Sequence, residues 1–94
     1  MTANLTLDPV LDLKAAEPLR AALLERQGEA LSLDASGVQR LGGLCLQLLL
    51  AARRSWAEAG QTLAIAPRSA AFEAALALFG AGGRFDQIEA GEGA

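Results

Sequence analysis

Ninety-four residues suit a single domain, 1–94, built on one core, and leave no room for a second. A formal charge of −3 gives no electrostatic reason to bind nucleic acid, which asks for a basic face, and no apolar stretch approaches the roughly 20 residues of a membrane span. With no His, the chain lacks both the commonest general base and the commonest transition-metal ligand, and its single Cys forbids an internal disulfide.

Leu5, Leu7, Val10 and Leu11 predict one or two short strands broken at Asp8-Pro9. Because Pro cannot donate to a ladder, the first strand is expected at a sheet edge. From Ala15 to Gln27, the stripe Ala15, Leu19, Ala22 and Leu23 predicts a helix, with Pro18 tolerable within its first turn and Gly28 as its stop. Leu31 and Leu33 then alternate with polar neighbours, as a half-buried strand does. Beyond Gly42-Gly43, residues 44–59 contain no Gly or Pro and are rich in Leu, Ala, Arg and Glu, which predicts a central helix ended by Gly60. Leu63 and Ile65 repeat the strand pattern, and a strand–helix–strand succession favours parallel pairing through a right-handed crossover. Pro67-Arg68-Ser69 lead into a third helix, where Phe72, Ala75, Leu76 and Phe79 share a face and Gly80 is the stop. Phe85 and Ile88 suggest a last short strand over Arg84–Ile88, and residues 89–94 a frayed tail. The fold expected is α/β, a small mixed β-sheet packed with α-helices.

At about 100° per residue, Cys45, Leu46, Leu49, Leu50 and Ala57 occupy one arc of the central helix, with Arg53 inside it near the end. Leu44, Gln47, Leu48, Ala51, Arg54 and Glu58 occupy the other. The first arc is expected to face the sheet, and Trp56 at its boundary reads as a partly covered core residue rather than a binding anchor. Leu44 and Leu48 on the outward arc are either covered by a neighbouring element or offered to a partner. Cys45 reads as a small apolar core residue, although a helix N-terminus can lower a thiol pKa. The glycines Gly42-Gly43 could bring phosphate to the helix N-terminus, but no Lys follows as in a P-loop. The simpler reading is a tight turn with positive φ. The carboxylates are scattered and form no catalytic constellation, so neither an enzyme nor a metal or cofactor site is expected.

In order and spacing this pattern resembles the STAS domain family (sulfate transporter and anti-sigma factor antagonist). The resemblance is carried by Leu31, Leu33, Gly37 and Val38, then Gly42-Gly43-Leu44-Cys45-Leu46, Leu49-Leu50-Ala51-Ala52 and Gly60. Upstream, Leu11-Asp12-Leu13 followed by Leu19 and Leu23 looks like the family's Leu-Asp start to its first helix, so the likeness runs from about Leu5 to Ile88. It implies a STAS-like fold, without the additional last helix common in the family, and regulation by protein binding rather than catalysis. In the family's regulatory members a hydroxyl in Asp-Ser-Ser-Gly is phosphorylated by a partner kinase. Here Gly42, Gly43 and Leu44 stand where the Asp and both Ser would, and Arg40 places a fixed positive charge near the family's carboxylate. The resemblance thus implies a domain without that phospho-switch. The segments Arg40–Gln47 and Arg53–Trp56 are similar to small STAS proteins associated with bacterial chemotaxis kinases. That likeness implies a cytoplasmic signalling protein whose partner is a histidine kinase or related ATPase, with a homodimer as an open option. The N-terminus, which has neither a basic n-region nor a long apolar run, agrees with a cytoplasmic location. The contact surface implied comprises Arg40, Gly43, Leu44, Gln47, Leu48, Ala51 and Arg54. Two alternatives stay open: a STAS subunit of an ABC lipid transporter, and an anti-sigma factor antagonist.

Overall fold

A computed structural model describes residues 2–80 of the protein. In chain order its elements are β1 (Thr2–Thr6), β2 (Val10–Leu11), α1 (Leu13–Glu25), β3 (Ala30–Ala35), β4 (Arg40–Leu41), α2 (Gly43–Glu58), β5 (Leu63–Arg68) and α3 (Ala70–Leu78). The strand expected over 84–88 and the tail over 89–94 lie outside the described residues.

The α/β architecture is the one expected. Its main sheet has the order β1-β3-β5, with β1 at an edge as Pro9 suggested, and β2 and β4 form a separate two-stranded ladder. All pairings among the described residues are parallel, where a mixed sheet was expected. The cause is connectivity: a helix separates β1 from β3 and β3 from β5, and no hairpin joins two neighbours.

The alternation of β3 sorts its side chains cleanly. Leu31, Leu33 and Ala35 are buried, as are Leu63 and Ile65 of β5. They form one apolar core with Leu19 and Leu23 of α1, Cys45, Leu49, Ala52 and Trp56 of α2, and Phe72 and Leu76 of α3. No polar or charged side chain is buried among the described residues. The opposite strand positions, Thr2, Asn4 and Thr6, Ser32 and Asp34, Ala64 and Ala66, are polar or small, and all are half-buried or exposed.

Local chemistry fixes the helix ends. The Asp12 side chain accepts from Ala15 N–H at 3.1 Å, which starts α1 two residues earlier than its apolar stripe suggested. Pro18 therefore falls in the second turn rather than the first, on the exposed side of the helix, where the Lys14 carbonyl it leaves without an amide donor can turn to water. Gly28, Gly60 and Gly80 have φ of 100°, 77° and 73° and stop the three helices, as their positions indicated.

Candidate partner-binding surface at the start of the central helix

The turn that opens α2 is tied down on both sides. Gln39 N–H and Arg40 N–H both donate to the Pro9 carbonyl, at 2.6 and 3.1 Å, and Gly42 N–H donates to Leu11 O at 2.8 Å. Behind the turn, the Ser69 hydroxyl donates to Val38 O while accepting from Phe72 N–H at 3.0 Å, so the N-cap of α3 also anchors the β3–β4 loop. Positive φ at Gly42-Gly43 is not what the turn uses. Gly42 is extended, with φ −87° and ψ 166°, and what it supplies is room, since a Cβ there would stand 3.2 Å from the Leu11 carbonyl oxygen. A Cβ at Gly43 would lie 3.8 Å from the Phe79 ring, so Phe79, at the far end of α3, lies against this turn.

Cys45 is the third residue of the helix and is buried. Its S–H donates to the Asp12 carbonyl at 3.4 Å. Burial, reinforced by the nearby Asp12 carboxylate, pushes its pKa up, so the lowered thiol that a helix N-terminus can produce does not arise. The site therefore contains no activated nucleophile at this position, and Cys45 is core, as its bland reading held.

The buried stripe of α2 runs Cys45, Leu49, Ala52, Trp56, with Leu46 beside it. This i, i+4, i+7, i+11 spacing is rotated by roughly half a residue step from the arc drawn on apolarity alone. Leu50 and Ala57, assigned to that arc, are only half-buried, and so is Leu48 on the opposite flank. Leu48 and Leu50 both pack against the core's margin. Trp56 is more deeply set than expected: its indole N–H donates to Glu29 O at 2.8 Å, satisfying the one polar atom that burial would strand.

The residues implied by sequence divide into groups. Arg40, Gly43 and Leu44 gather at the turn; Arg40 and Gly43 are exposed and Leu44 retains 46% of its accessible surface. Gln47 and Arg54 follow along the exposed ridge of α2. Leu48 and Ala51 instead line a groove of about 170 Å³ between α1 and α2, with Leu23, Leu24 and Trp56. Sequence reasoning missed three apolar members around the turn. Phe79, expected on the buried face of α3, is its C-cap and is 48% exposed. Val10, exposed, is the ladder partner of Arg40, and Leu13, 75% exposed, follows the Asp12 backbone that packs near Gly42. Exposed apolar side chains thus come from the segments that meet at Gly42-Gly43: Leu44 next to Gly43 in the chain, Phe79 against Gly43, Leu13 following Asp12, and Val10 paired with Arg40. Among the described residues, no three His, Cys, Asp or Glu are placed to hold a metal, and no helix is long and apolar enough to cross a membrane.

The profile of a protein family described as Mlab, STAS domain matches residues 2–88 of the chain. No curated protein and no solved structure matches it.

Proposed function

Because the chain belongs to the Mlab, STAS domain family, we propose that it is a non-catalytic regulatory domain that binds a histidine kinase or related ATPase in bacterial, cytoplasmic chemotaxis or signal transduction. Its contact surface is the Gly42-Gly43 turn and the outward ridge of α2. The observation that carries this reading is the exposure of two apolar side chains at Gly43, Leu44 which follows it in the chain and Phe79 whose ring lies against it. An apolar centre rimmed by Arg40, Gln47 and Arg54 has the anatomy of a protein interface. The turn offers Gly, Gly and Leu where family members are phosphorylated, so binding is constitutive rather than phospho-switched.

The test begins with a pull-down from the source cells and mass spectrometry, followed by calorimetry against the ATPase recovered. Leu44→Glu would bury an unpaired charge on binding while remaining solvated in the free domain. Loss of binding with unchanged thermal unfolding is expected. Unchanged affinity in a well-folded Leu44→Glu protein would move the interface away from the turn. Leu48→Glu is a poorer probe, because Leu48 is half-buried against the core and would disturb the fold as well.

A second reading keeps the surface and changes the ATPase: a STAS subunit seated on an ABC lipid transporter. The description of the matched family, Mlab, STAS domain, is the finding that keeps this reading beside the first. Copurification with membranes through an ABC ATPase would select it.

A further inference from the structure

Among the described residues, the outer edge of β1 is an open hydrogen-bonding template. Leu7 N–H donates to Asp34 O at 2.9 Å. By the alternation of a parallel ladder, Ala3 and Leu5 also turn their backbone groups toward β3, and Thr2, Asn4 and Thr6 turn theirs outward. Among the described residues β1 pairs with β3 alone. Folded proteins ordinarily blunt such an edge with charge, Pro or a bulge. The strand at the other end among the described residues, β5, carries Pro67, which has no N–H to offer, and its ladder with β3 shifts register between Leu33 and Ala35. β1 has none of these devices: its sequence, TANLT, is uncharged and free of Pro, and its register with β3 is unbroken.

The same five residues are chemically symmetric about Asn4. Thr2 mirrors Thr6 and apolar Ala3 mirrors apolar Leu5. We propose that β1 pairs antiparallel with β1 of a second copy of this chain, with Asn4 on the two-fold axis, and joins the two three-stranded sheets into one. The pairing is isologous, so every contact is made twice. Asn4 faces Asn4 of the second copy and Thr2 faces Thr6, each a pair that exchanges both N–H···O bonds. On the solvent face the cross-strand neighbours are Thr with Thr and Asn with Asn, with no like charges opposed. On the core face Ala3 meets Leu5 of the other copy. There Leu5 is only half-buried, lining a groove of about 200 Å³ with Pro18, Leu19 and Ala22, and the second strand would bury more of its surface. This assembly leaves the outward ridge of α2 free, since α2 packs against α1 and β5, and it does not depend on the function proposed above.

Light scattering on the intact chain is expected to give twice the mass of one chain. Asn4→Lys, which opposes two like charges at the axis, and Asn4→Pro, which removes an outward N–H without removing a β1–β3 bond, are each expected to halve that mass with far-UV circular dichroism unchanged. In the unaltered protein, the Asn4 and Thr6 amides gain hydrogen-exchange protection as concentration rises through the association. If Asn4→Pro fails to fold, Asn4→Lys and the exchange pattern decide. A monomeric unaltered chain, a folded Asn4→Lys protein that remains dimeric, or Asn4 and Thr6 amides unprotected in the dimer would each overturn the proposal.

Discussion

Leu49 and Leu44 are one and a half turns apart on the same helix and live in different media. Leu49 is fully buried and Leu44 is 46% exposed. Leu49→Ala leaves a cavity in the single apolar core and should cost about 2–5 kcal/mol. Leu50→Ala and Leu48→Ala, each removing a half-buried side chain, should each cost less than Leu49→Ala, and Leu44→Ala should stay within about 0.5 kcal/mol. Urea titrations of the four proteins check the order, and a Leu44→Ala protein as unstable as Leu49→Ala would invert the two faces. Cys45 sets a second expectation. Its pKa is raised by burial and by Asp12, so the folded state holds the proton more tightly than the unfolded one. The stability it contributes is complete below the unfolded pKa, near the ordinary 9.0, and is lost as pH rises through the folded value. Cys45→Ala should therefore flatten the alkaline limb of a stability–pH profile. Alkylation of the native thiol at neutral pH should proceed at the rate of opening rather than at that of a free thiol.

At the scale of elements, much was legible because punctuation is local. Gly28, Gly60 and Gly80 mark helix stops that need only their own φ, and the alternation of Leu31 with Leu33, and of Leu63 with Ile65, needs only the pleat of a strand. The orientation of α2 was less legible. Ala52 carries too little apolar surface to draw an arc toward itself, and Trp56 is buried because a carbonyl 27 residues away, at Glu29, receives its N–H. A heptad-like count of Cys45, Leu49, Ala52 and Trp56 would have found the seam. The turn was misread for a related reason: Gly42 answers to the Leu11 carbonyl across a ladder, a constraint absent from residues 40–44 themselves. The Ser69 cap is the element-scale counterpart. It closes α3 through Phe72 N–H and holds the β3–β4 loop through Val38 O, both by one hydroxyl. Ser69→Ala should cost about 1–2 kcal/mol, at the upper end for a cap because a second bond is lost with it. Denaturation of that variant, with faster amide exchange at Phe72, is the readout; a neutral substitution would mean water replaces the hydroxyl at both partners.

For the molecule as a whole, the surface around the turn is assembled from segments far apart in the chain. Gly42, Gly43 and Leu44 were visible in sequence as a departure from a hydroxyl-bearing pattern. Phe79 was not, because its place beside Gly43 depends on α3 returning past β4 after β5, a long-range outcome. Its spacing from Phe72 and Leu76 imitated a core position, and only the end of the helix at Leu78 sets it apart. If Leu44 and Phe79 form one interface centre, their contributions to binding cannot be independent. Leu44→Ala and Phe79→Ala should each weaken binding to the partner protein that the proposed function calls for. Each leaves the other side chain without the neighbour that helps exclude water from it, so the double variant should depart from additivity by about 0.5–3 kcal/mol. Calorimetry on the four proteins of the cycle measures that term directly. Strict additivity would assign Phe79 to a separate contact, or to none, and would confine the binding centre to α2 and Arg40.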